Sequence, residues 1–292
     1  MNILVTGASG LVGRDLIKGL AKNKIKKIFA IYNLNKTIAS KNKNKKIEWI
    51  KHNLKNELSI KDKIDYIVHC AVTHHFSENK NRKHFEDSNI ESIKNLIKFS
   101  KKKKIKLLIN LSTISIYGKI KKKILKENYK PLEASLLGRT KKKAEDLLKK
   151  SNLNYISLRL PGILCSNLNR KNPVWIQKLI ISIIKKKKIH VYDINNYFNN
   201  LIDTKEITKL IQYLFSYKKN IRDTFNFSAS NPIRLIKLIK NIKKNFKSNS
   251  LIINTDANKS FFIDSSKLKN KINYHTSSAS LILKRYITYE KI

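Results

Sequence analysis

Only seven glycines occur among the 292 residues, and three of them, Gly7, Gly10 and Gly13, fall in the one stretch TGASGLVG. A dinucleotide's pyrophosphate needs close backbone approach, amide N–H donors and the positive end of a helix. Gly7 and Gly10 permit the turn, and Gly13 permits close packing of the helix that follows. The pattern is G-x-x-G-x-x-G rather than the G-x-G-x-x-G fingerprint, so its force comes from its place directly after an apolar strand. A turn and helix with no ligand is the plain alternative. No cluster of Cys, His and acidic residues has metal-ligand spacing, and His74 and His75, being adjacent, cannot both face one site. Cys70 and Cys165 make no disulfide framework, and Cys70, inside the apolar run YIVHCAV, reads as a buried reduced thiol.

The elements that must hold such a site alternate in type. Ile3 to Val5 reads as a strand, followed by the glycine turn and the helix LVGRDLIKGLAK; further strands are expected at 27–33 and in KIEWIKHNL. Ile64 to Val72 is apolar throughout and reads as a central strand buried on both faces. Ile90, Ile93, Leu96 and Ile97 recur at helical spacing within Asn89 to Ser100. IKLLINLSTISIYG is another buried strand, Glu133 to Lys150 a helix, and Tyr155 to Leu164 a strand that halts at Pro161-Gly162. Alternation of this kind predicts an α/β fold, a Rossmann-like doubly wound parallel sheet. Beyond it come a helix in VWIQKLIISIIKK, a helix starting near Thr204 and a strand in DTFNFSA. The Asn/Lys-rich pieces 35–46 and 241–250 read as surface connections.

The formal net charge of +43 would ordinarily point to nucleic acid or an anionic membrane. Here the excess is nearly all lysine, spread from end to end, and it comes with abundant Asn and Ile. Those three residue types share A/T-rich codons, so compositional drift accounts for all of them, whereas a DNA-binding surface accounts only for the lysine. The runs Lys101–Lys104 and Lys185–Lys188 read as solvated edges. No uncharged apolar window is long enough to span a membrane. The opening MNILVTGASG has no signal-peptide character, and a cytoplasmic protein is expected.

Several stretches together resemble the extended short-chain dehydrogenase/reductase family, the NAD-dependent epimerase/dehydratase group that works mostly on nucleotide sugars. They are TGASGLVG; DYIVHCAV with Asp65, His69 and Ala71 in register; Asn89 at the next helix; LSTISIYG with Thr113 four residues before Tyr117; LRLPGIL; and NNLIDTKEI with Asp203. The resemblance implies an NAD(P)-binding domain over 1–165 and a mostly substrate-binding lobe over 166–292, with segments around 195–230 returning to the main sheet. It assigns cofactor contacts to Gly7, Ser9, Gly10, Leu11, Val12 and Gly13 in the turn. Further contacts fall at Asn33, Asn53, Leu54, Cys70, Ala71, Asn89 and Lys141. NAD preference usually comes from an acid at the end of the second strand; the region IYNLNK has none, and Lys36 with the positive field tilts the choice between NAD and NADP toward NADP. The family's helices at 85–100 and 135–150 pair subunits, which implies a homodimer, although Lys141–Lys143 and 101–104 would repel across that contact.

The same resemblance supplies the catalytic assignment. LLGRTKKKAEDLL is similar to a helix carrying a tyrosine and a lysine four residues apart, on one face. The tyrosine exchanges a proton with the sugar hydroxyl, and a Ser/Thr helps. Lys141 falls on the lysine, Thr140 on a serine, Gly138 on a glycine, Glu145 on an acidic position and Thr113 on the catalytic Ser/Thr. Leu137 stands where the tyrosine belongs. Two readings therefore stay open: an epimerase, dehydratase or reductase of a nucleotide sugar with an unusual or impaired site, and a non-catalytic or regulatory nucleotide-binding protein. A third reading, a polyanion- or membrane-surface protein using its charge, lacks a basic stripe interleaved with aromatics.

Overall fold

In a computed structural model, residues 1–33, 44–73, 81–166, 172–255 and 261–289 are described. Lys36, His74 and His75 lie outside them. The chain divides into two compact units.

The first unit comprises Met1–Gly118, Pro131–Arg159 and Ile207–Phe225. Its strands are β1 (Asn2–Thr6), β2 (Lys27–Tyr32), β3 (Ile47–Lys51), β4 (Tyr66–His69) and β5 (Leu107–Thr113). With β7 (Tyr155–Leu160) and β12 (Arg222–Asn226) they form a seven-stranded sheet ordered β12-β7-β5-β4-β1-β2-β3. The pairs β1–β2, β2–β3, β1–β4 and β4–β5 are parallel. Strand order reverses beside β1, whose neighbours are β2 and β4, and such a switch point is where open α/β sheets leave a crevice for ligands. Helix α1 (Leu11–Ala21) follows the glycine turn. Helix α2 (Arg82–Glu86) passes through a π-helical turn, Asp87–Glu91, into α3 (Ser92–Lys103). Helix α4 (Leu136–Lys150) follows a 3₁₀ turn at Ile114–Tyr117.

One face of the sheet is covered by α3 and α4. Leu4, Ile67 and Leu108, in register on β1, β4 and β5, pack with Ile93, Leu96 and Phe99 of α3 and with Ala144 and Leu148 of α4. On the other side α1 runs against α6 (Thr204–Ser216): a Cβ built on Gly19 would stand 2.9 Å from Thr208 Cγ2.

The expected strand at 64–72 is shorter than its apolar run, because Cys70 to Thr73 leave the ladder after the switch point. The helix expected from Glu133 starts at Leu136. Glu133 adopts φ 49°, outside the helical region, and Ser135 supplies the cap, its hydroxyl accepting from Gly138 N at 3.2 Å.

The second unit comprises Lys119–Lys130, Leu160–Glu206 and Asn226–Ile292. It holds paired short strands: β6 (Ile124–Leu125) with β15 (Phe262–Ile263), β8 (Gly162–Leu164) with β11 (Leu201–Asp203), β9 (Ile189–Tyr192) with β14 (Ile252–Thr255), and β10 (Tyr197–Phe198) with β13 (Ile233–Arg234). Its helices include α5 (Trp175–Ile184), α7 (Leu235–Asn245), α8 (Ser266–Ile272) and α9 (Ala279–Tyr289). The piece 241–250, expected as a connection, is helical to Asn245. Leu235, Leu238, Ile239 and Ile242 form one buried stripe that overrides the polar composition. Arg285 of α9 pairs with Asp203 at 2.7 Å and with Glu206 at 3.1 Å, tying the last helix to the end of β11.

Candidate active site

The turn after β1 is built for backbone approach. Gly7 has φ +64°, and a Cβ there would stand 2.6 Å from Ala71 N, so the turn touches the segment that follows β4. A Cβ on Gly13 would meet Gly7 O at 2.3 Å. Gly10 is exposed, and its amide donates to Gly7 O at 3.0 Å. Gly10 is also the N-cap of α1 and has no side chain to cap it; the first turn holds no acid. The intrahelical ladder opens with Arg14 N donating to Gly10 O, which leaves the amides of Leu11, Val12 and Gly13 at the positive end of the helix. Ser9, Leu11 and Val12 are half-buried around this point. These amides suit an anionic group such as a pyrophosphate, and Cβ atoms on Gly7 and Gly13 would break the close backbone contacts that shape the turn.

Asn33 is exposed just beyond β2, and the sequence from Asn33 to Ile47 holds no acid. Asn53 is exposed, with Leu54 buried behind it, and Leu54 O accepts from Asn95 Nδ2 at 2.9 Å. Cys70 is half-buried, and burial pushes its thiol up to about 12, with Lys141 opposing. The buried Asn89 is engaged at both ends of its amide. Oδ1 accepts from Thr73 N at 3.3 Å, and Nδ2 donates to Thr140 Oγ1 at 3.0 Å, which ties the π turn to α4.

Helix α4 brings the other candidates to the same corner. A Cβ on Gly138 would stand 2.2 Å from Ser115 O, so the first turn of α4 lies flat against the 3₁₀ turn. Thr113 caps that turn: its Oγ1 accepts from Ser115 N at 3.1 Å. Lys141 is 3% exposed and donates from Nζ to Leu111 O at 3.0 Å. Burial lowers its pKa to about 8, against the pull of Cys70 and Glu145. Leu137, one turn earlier, is also 3% exposed.

Two buried networks flank Lys141. In the first, Glu145 pairs with Arg159 at 2.7 Å and accepts from Ser112 Oγ at 2.6 Å, while Arg159 Nη1 donates to Tyr117 Oη at 2.9 Å. Tyr117 is wholly buried there. In the second, Thr6, His69 and Asn110 stand in register on β1, β4 and β5. His69 Nδ1 lies 2.7 Å from Thr6 Oγ1, and Asn110 Nδ2 donates to Ser157 Oγ at 3.1 Å. Burial, and then the charge of Lys141, hold the His69 pKa well below its ordinary value, so the ring is neutral. Among the described residues, His69 Nε2 and Asn110 Oδ1 are buried without a hydrogen-bond partner. The polar row Thr6, His69, Asn110 and Ser157 was not assembled from the sequence; its signal was a polar residue within each otherwise apolar strand.

A family model described as the NAD dependent epimerase/dehydratase family matches residues 3–224. No curated protein sequence matches. Among solved structures, the chain is similar to the UDP-glucuronic acid 4-epimerase of Bacillus cereus in complex with NAD, at 21% identity and TM-score 0.76, over 100% of both chains. It is similar to the UDP-N-acetylglucosamine 4-epimerase of Methanobrevibacter ruminantium M1, at 20% identity and TM-score 0.76, over 99% of this chain and 98% of that one. It is also similar to the UDP-glucose 4-epimerase of Thermotoga maritima, at 18% identity and TM-score 0.74, over 99% of both. At these identities the structures speak for the fold, while the family model spans most of the chain: the protein belongs to the NAD-dependent epimerase/dehydratase family.

Proposed function

We propose that the protein binds NAD or NADP and acts on a nucleotide sugar as an epimerase, dehydratase or reductase, with an altered catalytic site. The observation that carries this reading is the uncapped N-terminus of α1 behind the Gly7–Gly13 contact, at the same sheet edge as the buried Lys141. Neighbouring structures are complexes with NAD or with UDP-sugars.

In this reading the amides around Ser9, Gly10, Leu11, Val12 and Gly13 hold the pyrophosphate. Asn33, Asn53 and Leu54 border the adenosine half; Cys70, Ala71 and Asn89 border the other half. The bound nicotinamide would supply two-electron oxidation or reduction of a sugar carbon. Lys141 positions the nicotinamide ribose, and Thr113 hydrogen-bonds the reacting hydroxyl. The lack of an acid in the sequence from Asn33 to Ile47 favours NADP in this reading. Residues 1–165 carry the cofactor and 166–292 most of the substrate contacts, in a cytoplasmic homodimer paired through α3 and α4.

A second reading, a non-catalytic nucleotide-binding protein, is favoured by Leu137, which has no proton to exchange. Tyr117 does not replace the missing acid, because its hydroxyl is buried and accepts from Arg159. Calorimetric titration with NAD(H) and NADP(H), beside a Gly10→Asp control that sets a carboxylate in the anion cradle, tests both readings. Micromolar binding that the control abolishes is the expected outcome. A folded wild type that binds neither nucleotide would sink both.

A further inference from the structure

We propose that Lys141 is itself the proton-transfer group of this site, its Nζ taking the proton of the reacting hydroxyl and returning it in the reverse direction. The inference rests on the cofactor-binding reading above and concerns what happens once a cofactor is there.

Position comes first. Lys141 donates from Nζ to Leu111 O at 3.0 Å, and its neighbour Thr140 is bonded to Asn89, which also holds Thr73 N just after the Cys70–Ala71 backbone that abuts Gly7. Three groups that the match to the catalytic segments singles out, Leu137, Tyr117 and Thr113, are unsuited to the role. Leu137 has no proton. Tyr117 Oη accepts from Arg159 in a wholly buried place. Thr113 Oγ1 donates to Ser115 Oγ at 3.1 Å, and an alcohol is far too weak an acid to act alone.

Surroundings come second. A buried lysine shifts its pKa readily and can serve as a neutral base. The nearest carboxylate on its own helix, Glu145, is turned to Arg159 and Ser112. The charge of Lys141 acts on His69 at the end of β4, held neutral, and on Cys70 just beyond it, held as the thiol. The hydrogen bond to Leu111 O accepts an N–H from either the ammonium or the amine. Burial brings the Lys141 pKa down to about 8, against Cys70 and Glu145, so both protonation states are present near neutral pH, as a general acid–base requires.

The step balances. In the oxidising direction the neutral amine takes the O–H proton and becomes an ammonium. The C–H hydrogen leaves with its electron pair to an oxidised nicotinamide dinucleotide, and the alcohol carbon becomes a carbonyl. The reverse direction restores the proton from Nζ.

The full chain carrying ¹³C-labelled lysine is titrated by NMR, with Lys141 assigned by its loss in Lys141→Arg. A midpoint near 8 is expected; an ordinary lysine midpoint near 10.4 overturns the proposal whatever the substrate is. Nicotinamide reduction driven by UDP-glucose is then followed against pH, with NAD affinity measured by calorimetry. Lys141→Arg should slow reduction by ~10²–10⁴-fold even at NAD concentrations that calorimetry shows to be saturating for the variant, and the wild-type rate should rise through the NMR midpoint. An arginine variant as fast as wild type overturns it. Failure of the wild type to bind either nucleotide is a failure of the functional reading, seen in the calorimetry; the NMR midpoint separately decides the state of Lys141.

Discussion

Lys141 carries a stability cost that can be read from its titration. Its folded pKa of about 8 lies below the ordinary 10.5 because it is buried. Between those values the unfolded chain holds the proton and the folded chain does not, so folding gains stability as pH rises through the window and loses it as pH falls back to about 8. Below about 8 both states are protonated and the penalty is constant. At roughly 1.36 kcal/mol per pKa unit, it is on the order of 3 kcal/mol at neutral pH. Lys141→Met keeps the length of the side chain without the charge. We expect it to raise the melting temperature at pH 7 by about 5 °C or more, and the advantage to shrink as pH approaches 10. Differential scanning calorimetry of both proteins across this range checks it, and the comparison cancels the contribution of the other lysines. A variant less stable than wild type at pH 7 would mean that the hydrogen bond to Leu111 O outweighs the burial of the charge.

At the scale of the element, α4 decides whether the site exists. Its buried face carries Leu137, Gly138, Thr140, Lys141, Ala144, Glu145 and Leu148, and the contacts that fix it include Gly138 on Ser115 O, and Glu145 on Arg159 and Ser112. Replacing an interior helical glycine by alanine ordinarily stabilises by up to about 1 kcal/mol. Here the sign should reverse, because the new Cβ would stand 2.2 Å from a backbone carbonyl that cannot swing away. Gly138→Ala is expected to destabilise by about 1–3 kcal/mol and to push the first turn of α4 off the 3₁₀ turn; urea unfolding and the turnover assay read the two effects. The helix itself was legible in the sequence, since its apolar spacing and lysine-rich outer face are periodic. So were the glycine turn and the central strand, where a glycine-poor composition made three close glycines informative. The start of α4 was not, because it turns on the φ of Glu133 and the cap at Ser135. Nor was the role of Asn89 as a brace between the π turn and Thr140, since its partners lie 16 and 51 positions away along the chain. The buried stripe of α7 was hidden by lysines and asparagines that occupy only its outer face.

For the whole molecule the governing quantity is charge. A net +43 makes every copy repel every other, and the pairing proposed through α3 and α4 meets that repulsion directly. The outer groove between these helices is lined by Ile90 and Leu147, with Lys94, Lys143 and Lys150 around them and Asp146 as its acid. Asp146 is already paired with Lys142, so it offers little to lysines arriving from a second copy. The apolar contact is short-ranged and indifferent to salt, whereas the repulsion extends over a Debye length of roughly 30 Å at 0.01 M ionic strength and roughly 3 Å at 1 M. Self-association should therefore strengthen with salt, the opposite of an assembly held by ion pairs. Sedimentation velocity is expected to show monomer at about 0.01 M and dimer at about 0.5 M. Leu147→Glu, which places a carboxylate among the lysines, should abolish the apolar contact in high salt and weaken the repulsion in low salt, bringing the two conditions together. A dimer that dissolves as salt is raised would place the interface elsewhere, on a surface where opposite charges meet.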